Sequence, residues 1–89
     1  MPDSEKRSLR ERLYECLGQI VTARRKRLGM SQEELAQESG IDRAFLSKIE
    51  GGKKQPSFGL VAHIAQGLRM RYARLVQNCE ECAENEKPA

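Results

Sequence analysis

One short segment, residues 42–50, carries side chains suited to donating hydrogen bonds to an ordered set of acceptors. Its apolar side, which a helix would bury, is formed by Phe45, Leu46 and Ile49. The opposite side carries four small or polar residues: Arg43, Ala44, Ser47 and Lys48. An arginine or a lysine can donate to O6 and N7 of guanine, and an alanine methyl group can meet a thymine methyl group. The chemistry that this segment favours is contact with base edges in a DNA groove.

Two short helices joined by a tight turn must hold these side chains in place. Ser31 followed by Glu34 forms a capping box, which predicts the start of a helix that ends at Gly40 after about two turns. Asp42 is a good N-cap for a second helix that runs to Glu50. The sequence therefore predicts a helix-turn-helix over residues 31–50, with residues 42–50 as the helix that enters the major groove.

Three more helices are predicted around this pair. A capping box begun by Ser8 starts an amphipathic segment over residues 9–28, in which we expect a break or bend near Gly18. Ser57 caps a fourth helix, and a fifth covers about residues 71–79. The buried stripe of the fourth helix would consist of Phe58, Val61, Ile64, Ala65 and Leu68. The predicted fold is all-α and compact, with five helices.

Length and charge limit what the chain can be. Its 89 residues, 38% hydrophobic and 33% charged, suffice for one compact domain. We expect residues 1–16 to form an N-terminal helical extension, residues 17–76 the domain, and residues 77–89 an acidic tail. The last ten residues carry four glutamates and one lysine, so the overall charge of +3 corresponds to +6 for the rest. A basic body with an acidic tail permits nucleic acid as a partner.

The three cysteines favour no disulfide framework. Their number is odd, and the start of the chain lacks an apolar stretch of signal-peptide length, so we expect a cytoplasmic protein with reduced thiols. Cys79 and Cys82 have the spacing of half a zinc site, but only Cys16 and His63 remain as further ligands. Chance explains this spacing better than a zinc site does, and no metal or cofactor is predicted. A redox- or metal-responsive regulator using the three cysteines remains a third hypothesis.

From about Leu17 to Leu75 the chain resembles the phage-repressor and Cro-like helix-turn-helix regulators, the Xre family. The resemblance is strongest over residues 25–36, 40–43, 46–53 and 56–57. It implies a lambda-repressor-like five-helix domain, usually dimeric, that binds a two-fold symmetric operator in double-stranded DNA. Three residues depart from the family pattern in or after the fourth helix, Gly59, Gly67 and Arg69, and lead us to expect that this helix is frayed or bent.

The resemblance also implies a role for individual residues. By position, Gln32 would contact a phosphate, as would Lys53 and Lys54 from the loop after the recognition helix. The base-reading positions fall on Arg43, Ala44, Ser47 and Lys48. Arg25 and Glu50 match a buried ion pair that ties the first helix to the recognition helix.

Two functions of different classes fit these observations. The first is a sequence-specific transcriptional regulator, a homodimeric repressor of a palindromic operator. The second is a protein-interaction module such as an antitoxin or accessory subunit. An apolar stripe before the domain needs cover from the fifth helix or from a partner, and exposed Leu60 and Val76 add to the case for a homodimer; the stripe consists of Leu9, Leu13, Cys16 and Leu17. No catalytic arrangement is evident around His63, so no enzyme is predicted.

Overall fold

A computed structural model describes residues 7–85, which form five helices and no strand. Their bounds are α1 Leu9–Arg27, α2 Gln32–Ser39, α3 Arg43–Glu50, α4 Phe58–Gly67 and α5 Tyr72–Glu84. The all-α, five-helix prediction is confirmed. Within this described range, no helix combines the length and apolar character needed to cross a membrane.

The turn between α2 and α3 is short because its ends are capped as the sequence predicts. The hydroxyl of Ser31 accepts from the Glu34 amide at 3.0 Å, and the Glu34 carboxylate accepts from the Ser31 amide at 2.8 Å. Gly40 ends α2 in the left-handed conformation, with φ of 70°. Only Gly40, Ile41 and Asp42 separate the two helices, so the turn holds α3 firmly against α2.

The core lies where all five helices meet. Helix α1 packs against α3 and α5, whereas α2 packs against α3 and α4. The side chains at the centre are fully buried and come from every helix, with Leu68 following α4 directly: Val21, Leu35, Leu46, Ile49, Ile64, Leu68 and Leu75. The helix-turn-helix is thus fixed from behind by α1 and α4, and α5 packs against both of these helices.

Helix α1 is continuous through Gly18, so the prediction of a break there was wrong. A Cβ atom at this position would lie 2.6 Å from the carbonyl oxygens of both Ile49 and Glu50. Such a distance is far inside van der Waals contact. Gly18 is therefore required by the close approach of α1 to the end of α3, rather than by a bend.

A second close approach explains Gly67, which departs from the family pattern. A Cβ atom here would lie 2.6 Å from the Ser39 hydroxyl oxygen and 2.9 Å from a Leu35 methyl group. The glycine lets α4 pack tightly on α2, and α4 remains helical from Phe58 to Gly67. The expectation of a frayed or bent helix was therefore wrong.

Arg69 occupies the position after α4 where glycine or asparagine is usual. Its φ is 58°, in the left-handed region that costs a non-glycine residue roughly 1 kcal/mol. We expect Arg69→Gly to raise the free energy of unfolding by about 1 kcal/mol in urea titrations. Its backbone carbonyl, which accepts from Arg24, is kept in the variant. Arg74→Gly is the matched control inside α5, where loss of helix propensity should lower the free energy of unfolding by about 1 kcal/mol. If both substitutions destabilised the protein, the backbone strain at Arg69 would be contradicted.

Helix α5 extends beyond the predicted end near Cys79, so residues 77–84 are helical rather than part of a tail. This continuation brings Cys82 beside Cys16 of α1, with their Cα atoms 5.9 Å apart, and the two form a disulfide bond. The expectation of three reduced thiols was wrong, because the pairing depends on a helix length that the acidic sequence did not suggest. Cys79 remains a free, buried thiol. The predicted extension likewise continues directly into the rest of α1.

An apolar groove lies between α1 and α5. We call it the α1/α5 groove; it measures about 480 Å³, and its lining includes Leu9, Leu13, Phe58, Tyr72, Val76 and Glu80. Phe58 is 77% exposed and was wrongly expected in the core, because the rest of the α4 stripe fills the interior without it. Its ring instead meets Tyr72 edge-on, with centroids 4.9 Å apart.

Candidate nucleic-acid interface

Helix α3 is divided sharply into a buried side and an exposed side. Leu46 and Ile49 are fully buried against the other helices. The exposed side carries the four residues singled out from the sequence: Arg43, Ala44, Ser47 and Lys48. Asp42 occupies the N-cap position but makes no side-chain capping hydrogen bond, so its role in fixing α3 is smaller than predicted.

A buried ion pair anchors the end of α3 to α1. Arg25 Nε donates to Glu50 Oε2 at 2.7 Å, and Arg25 Nη2 donates to Glu50 Oε1 at 3.0 Å. The two side chains are only 11% and 6% exposed. Arg25 Nη1 also donates to the Met30 carbonyl at 2.8 Å, which ties the turn before α2 to the same guanidinium. One bidentate pair thus fixes three elements around the helix-turn-helix.

Glu50 stays ionised in this setting. Burial by itself would raise the pKa of the Glu50 carboxyl, but hydrogen bonds from Arg25 and Gln32, together with the positive charge of Arg25, lower it below its ordinary value. An ionised carboxylate only accepts hydrogen bonds. The group that faces it on Gln32 must therefore be the amide nitrogen.

This constraint reaches the exposed face through Gln32. Nε2 of Gln32 donates to Glu50 Oε1 at 2.9 Å, so Oε1 of Gln32 is directed away from Glu50 and towards the start of α3. There it accepts a hydrogen bond from Arg43 Nη1 at 3.3 Å. A buried carboxylate, an amide and an exposed guanidinium form one relay. The sequence suggested Gln32 as a phosphate contact only, because residues 18 positions apart give no local signal of pairing.

The first half of α1 braces the loop after α3. The Tyr14 hydroxyl donates to the Pro56 carbonyl at 3.2 Å, and Arg10 Nε donates to the Gln55 side-chain oxygen at 2.8 Å. Lys53 and Lys54, both exposed, lie in this loop. Sequence reasoning treated residues 1–16 as an extension and missed this support, because the contacts join positions more than 40 residues apart.

The basic run at the end of α1 is in part structural. Arg24 donates to the carbonyls of Leu68 at 3.0 Å and Arg69 at 3.2 Å, where it satisfies acceptors just beyond α4. Arg25 is engaged with Glu50, as described above. Only Lys26 and Arg27 of this run are exposed. Charge density along the sequence therefore overstates the basic surface that α1 offers.

The cysteines and His63 do not come together as a set of metal ligands in the part of the chain that the structure describes. Across residues 7–85, no three His, Cys, Asp or Glu side chains are placed to hold a metal ion together. His63 is exposed on α4, as the helical period predicts. Burial raises the pKa of the Cys79 thiol to about 11, so this sulfur is a poor nucleophile near neutral pH.

Residues 21–75 match the family model described as helix-turn-helix. The chain belongs to the helix-turn-helix family. A helix-turn-helix-type transcriptional regulator of Sinorhizobium fredii, y4dJ, is 32% identical over 69 residues, which make up 78% of this chain and 90% of that protein. Two transcriptional regulators of Mycobacterium tuberculosis are 32% identical over 53 residues, and the matched region spans 38% of their length.

Solved helix-turn-helix structures share the fold. The clp gene regulator ClgR from Corynebacterium glutamicum superimposes with a TM-score of 0.77 at 27% identity, covering 83% of this chain and 79% of that one. The restriction-modification controller protein C.Esp1396I, solved as a tetramer with its natural 35 base-pair operator, gives 0.74 at 24% identity, covering 81% and 95%. This second likeness concerns the fold alone. The predicted resemblance to phage-repressor and Cro-like regulators is confirmed.

Proposed function

We propose that the protein is a sequence-specific, DNA-binding transcriptional regulator that reads its operator with α3 in the major groove. The observation that carries this proposal is the relay in which buried Glu50 orients Gln32, and Gln32 holds Arg43 on the exposed face of α3. Holding an arginine in place before binding reduces the entropy lost on contact with a base. A solvated surface arginine with no binding role needs no such support. To bind an operator, the protein must be in the compartment that holds the DNA, which agrees with the cytoplasmic location expected from the sequence.

Each exposed side chain of α3 has a distinct part in base readout. Arg43 has one guanidinium nitrogen on Gln32 and others free to donate to guanine O6 and N7. Lys48, about one and a half turns further along α3, can do the same at a neighbouring base pair. Ala44 offers a methyl group to thymine, and Ser47 can donate or accept. We infer a site of a few adjacent base pairs for each protomer.

Phosphate contacts come from both ends of the helix-turn-helix. The amide group of the Gln32 side chain is committed to Glu50 and Arg43, so we propose that Gln32 meets a phosphate through its backbone N–H in the first turn of α2. Lys53 and Lys54 contact the backbone on the other side of α3. These contacts position the protein without selecting a sequence.

We propose that the protein acts as a homodimeric repressor on a palindromic operator, with the α1/α5 groove as the dimer surface. Phe58, Leu9 and Val76 are 77%, 58% and 42% exposed along it, which favours cover by a partner. In a two-fold interface the same surface of both copies is covered, so the groove of one copy would pack against the groove of the other.

The exposed groove also supports the second candidate, an antitoxin or accessory subunit that binds a different protein there. The two candidates differ in the state of the purified protein. A stable dimer in sedimentation equilibrium would favour the regulator, whereas a monomer that forms a stoichiometric hetero-complex on co-expression would favour the interaction module.

Salt dependence tests the proposed phosphate contacts. We expect the double variant Lys53→Ala/Lys54→Ala to bind every duplex more weakly and to reduce the slope of log affinity against log salt by about 2 per protomer. The matched control, Lys53→Arg/Lys54→Arg, keeps both charges and should keep the slope. Fluorescence anisotropy from 50 to 200 mM salt, roughly the range in which such effects are large, measures it. An unchanged slope in the alanine variant would remove these lysines from the interface.

A further inference from the structure

The α1/α5 groove is apolar along its floor and acidic at one end. Its floor is formed by three buried residues, Leu17, Val61 and Cys79. Among the described residues that line it, only Glu80 and Glu84 are charged. The groove measures about 480 Å³, which is within the range of sites that bind small molecules in proteins. Its lining therefore suits a molecule that is apolar over most of its surface and positively charged at one point.

The acidic end is set by the register of α5. Four side chains spaced by about one helical turn line the groove and change from apolar to acidic along the helix: Tyr72, Val76, Glu80 and Glu84. Cys16 of α1 is bonded to Cys82 near the end of α5, and Arg24 reaches a carbonyl just before α5 begins. Helix α1 is therefore antiparallel to α5, and its exposed Leu9 lies at the acidic end of the groove.

The charge of the two glutamates is not compensated within the described part of the chain. Between positions 7 and 85, no ion pair or hydrogen bond joins the carboxylate of Glu80 or Glu84 to another residue. Like charges four residues apart lower the stability of a helix, and both side chains also lie near the negative end of the α5 dipole. A molecule that brings positive charge and an apolar body would offset both the repulsion and the exposed apolar surface.

We propose that the α1/α5 groove binds a small lipophilic cation, a molecule with an aromatic body and a single ammonium or phosphonium centre. The aromatic body covers Leu9, Phe58 and Val76, the exposed apolar residues of the groove. The exposed ring of Phe58 offers a surface on which an aromatic ring can pack. The cationic centre lies beside the carboxylates of Glu80 and Glu84, where the charges attract across the partly apolar surroundings of the groove.

Binding of the cation depends only on the groove and not on pairing of two copies. Its effect on regulation rests on the proposed function, because the groove is also the surface proposed for the dimer. The same groove of a second copy carries the same two glutamates, so the cation is the better partner for their charge. A bound cation then excludes the second copy and weakens operator binding, which makes the cation an inducer.

The probe for the test is tetraphenylphosphonium, and its matched control is tetraphenylborate, which has nearly the same size and apolar surface but the opposite charge. We expect titration calorimetry of the full chain without DNA to show one tetraphenylphosphonium bound per chain and about tenfold weaker binding of tetraphenylborate. The overall charge of the chain is +3, which by itself would favour the anion. A preference for the cation therefore cannot come from the net charge.

Two charge variants locate the site. Glu80→Gln/Glu84→Gln should weaken tetraphenylphosphonium binding about tenfold and remove most of the preference over tetraphenylborate. The control Glu33→Gln/Glu81→Gln loses the same charge from exposed positions outside the groove lining, and should bind within about twofold of the wild type because charges at a distance are screened. Circular dichroism checks that both variants fold.

Equal affinity of the wild type for both ions, or unchanged tetraphenylphosphonium binding by Glu80→Gln/Glu84→Gln, would overturn the inference. A dimer in sedimentation equilibrium that excludes tetraphenylphosphonium would assign the groove to a second copy and would also overturn it. None of these readouts involves DNA. A protein that selects an operator but ignores the cation would leave the proposed function intact, whereas a protein that binds the cation but selects no duplex would support the inference and overturn the regulator function.

Discussion

Gly18→Ala is expected to lower the free energy of unfolding by about 3 kcal/mol, which is large for the addition of one methyl group. The new Cβ atom would lie 2.6 Å from two carbonyl oxygens at the end of α3. Neither oxygen can move without shifting backbone, because Glu50 is held by Arg25 and Ile49 is fully buried. Urea unfolding followed by circular dichroism measures the loss.

Gly59→Ala is the matched control, since it makes the same substitution at a helical glycine. Nothing lies within 4 Å of a Cβ atom at Gly59. Gain of helix propensity should therefore stabilise this variant by up to about 1 kcal/mol. If Gly18→Ala were as stable as Gly59→Ala, the close packing of α1 on the end of α3 would be contradicted.

Glu50→Ala is expected to destabilise the protein by about 3 to 5 kcal/mol, because it leaves the Arg25 guanidinium buried without its carboxylate. The side chains are 11% and 6% exposed, so water cannot replace the missing partner easily. The double variant Arg25→Met/Glu50→Leu removes both charges and should recover most of this loss. Chemical unfolding of the single and double variants measures the difference. A double variant no more stable than Glu50→Ala would show that the cost comes from packing rather than from the stranded charge.

The same pair determines a dependence on pH. The pKa of Glu50 in the folded protein lies below its ordinary value of 4.5, so the carboxylate contributes stability that is fully present above that value. The contribution is lost as pH falls through the folded pKa, because the unfolded chain takes up the proton first. We therefore expect the free energy of unfolding of the wild type, measured relative to that of the Arg25→Met/Glu50→Leu variant, to fall as the pH is lowered from neutral into the acid range. A difference that is flat over this range would contradict the lowered pKa.

Local patterns predicted much of the architecture. The capping roles of Ser31, Glu34 and Gly40 can be predicted from residues three or four positions away, because capping and left-handed turns depend on immediate neighbours. The four exposed residues of α3 followed from the helical period alone. Such features are set by short-range physics, which a single sequence records well.

Features that depend on contact across the fold were predicted poorly. Gly18 resembled a helix breaker because the groups that require a glycine there, the carbonyls of Ile49 and Glu50, lie more than 30 residues away in the chain. Cys82 resembled part of a charged tail because α5 continues against α1 through small buried residues. Phe58 fitted a buried stripe that the core filled without it. In each case, packing between helices overrode what the local sequence favoured.

The central claim is that the exposed face of α3 reads DNA sequence, and selection of bound duplexes from a random pool tests it most directly. The pool is offered to the wild type and to Arg43→Ala/Lys48→Ala, both shown to be folded by circular dichroism. The account predicts a palindromic consensus for the wild type and its loss in the double variant, since each good base contact contributes about 1 to 3 kcal/mol of discrimination. Absence of enrichment by the folded wild type, or the same consensus from the double variant, would contradict it.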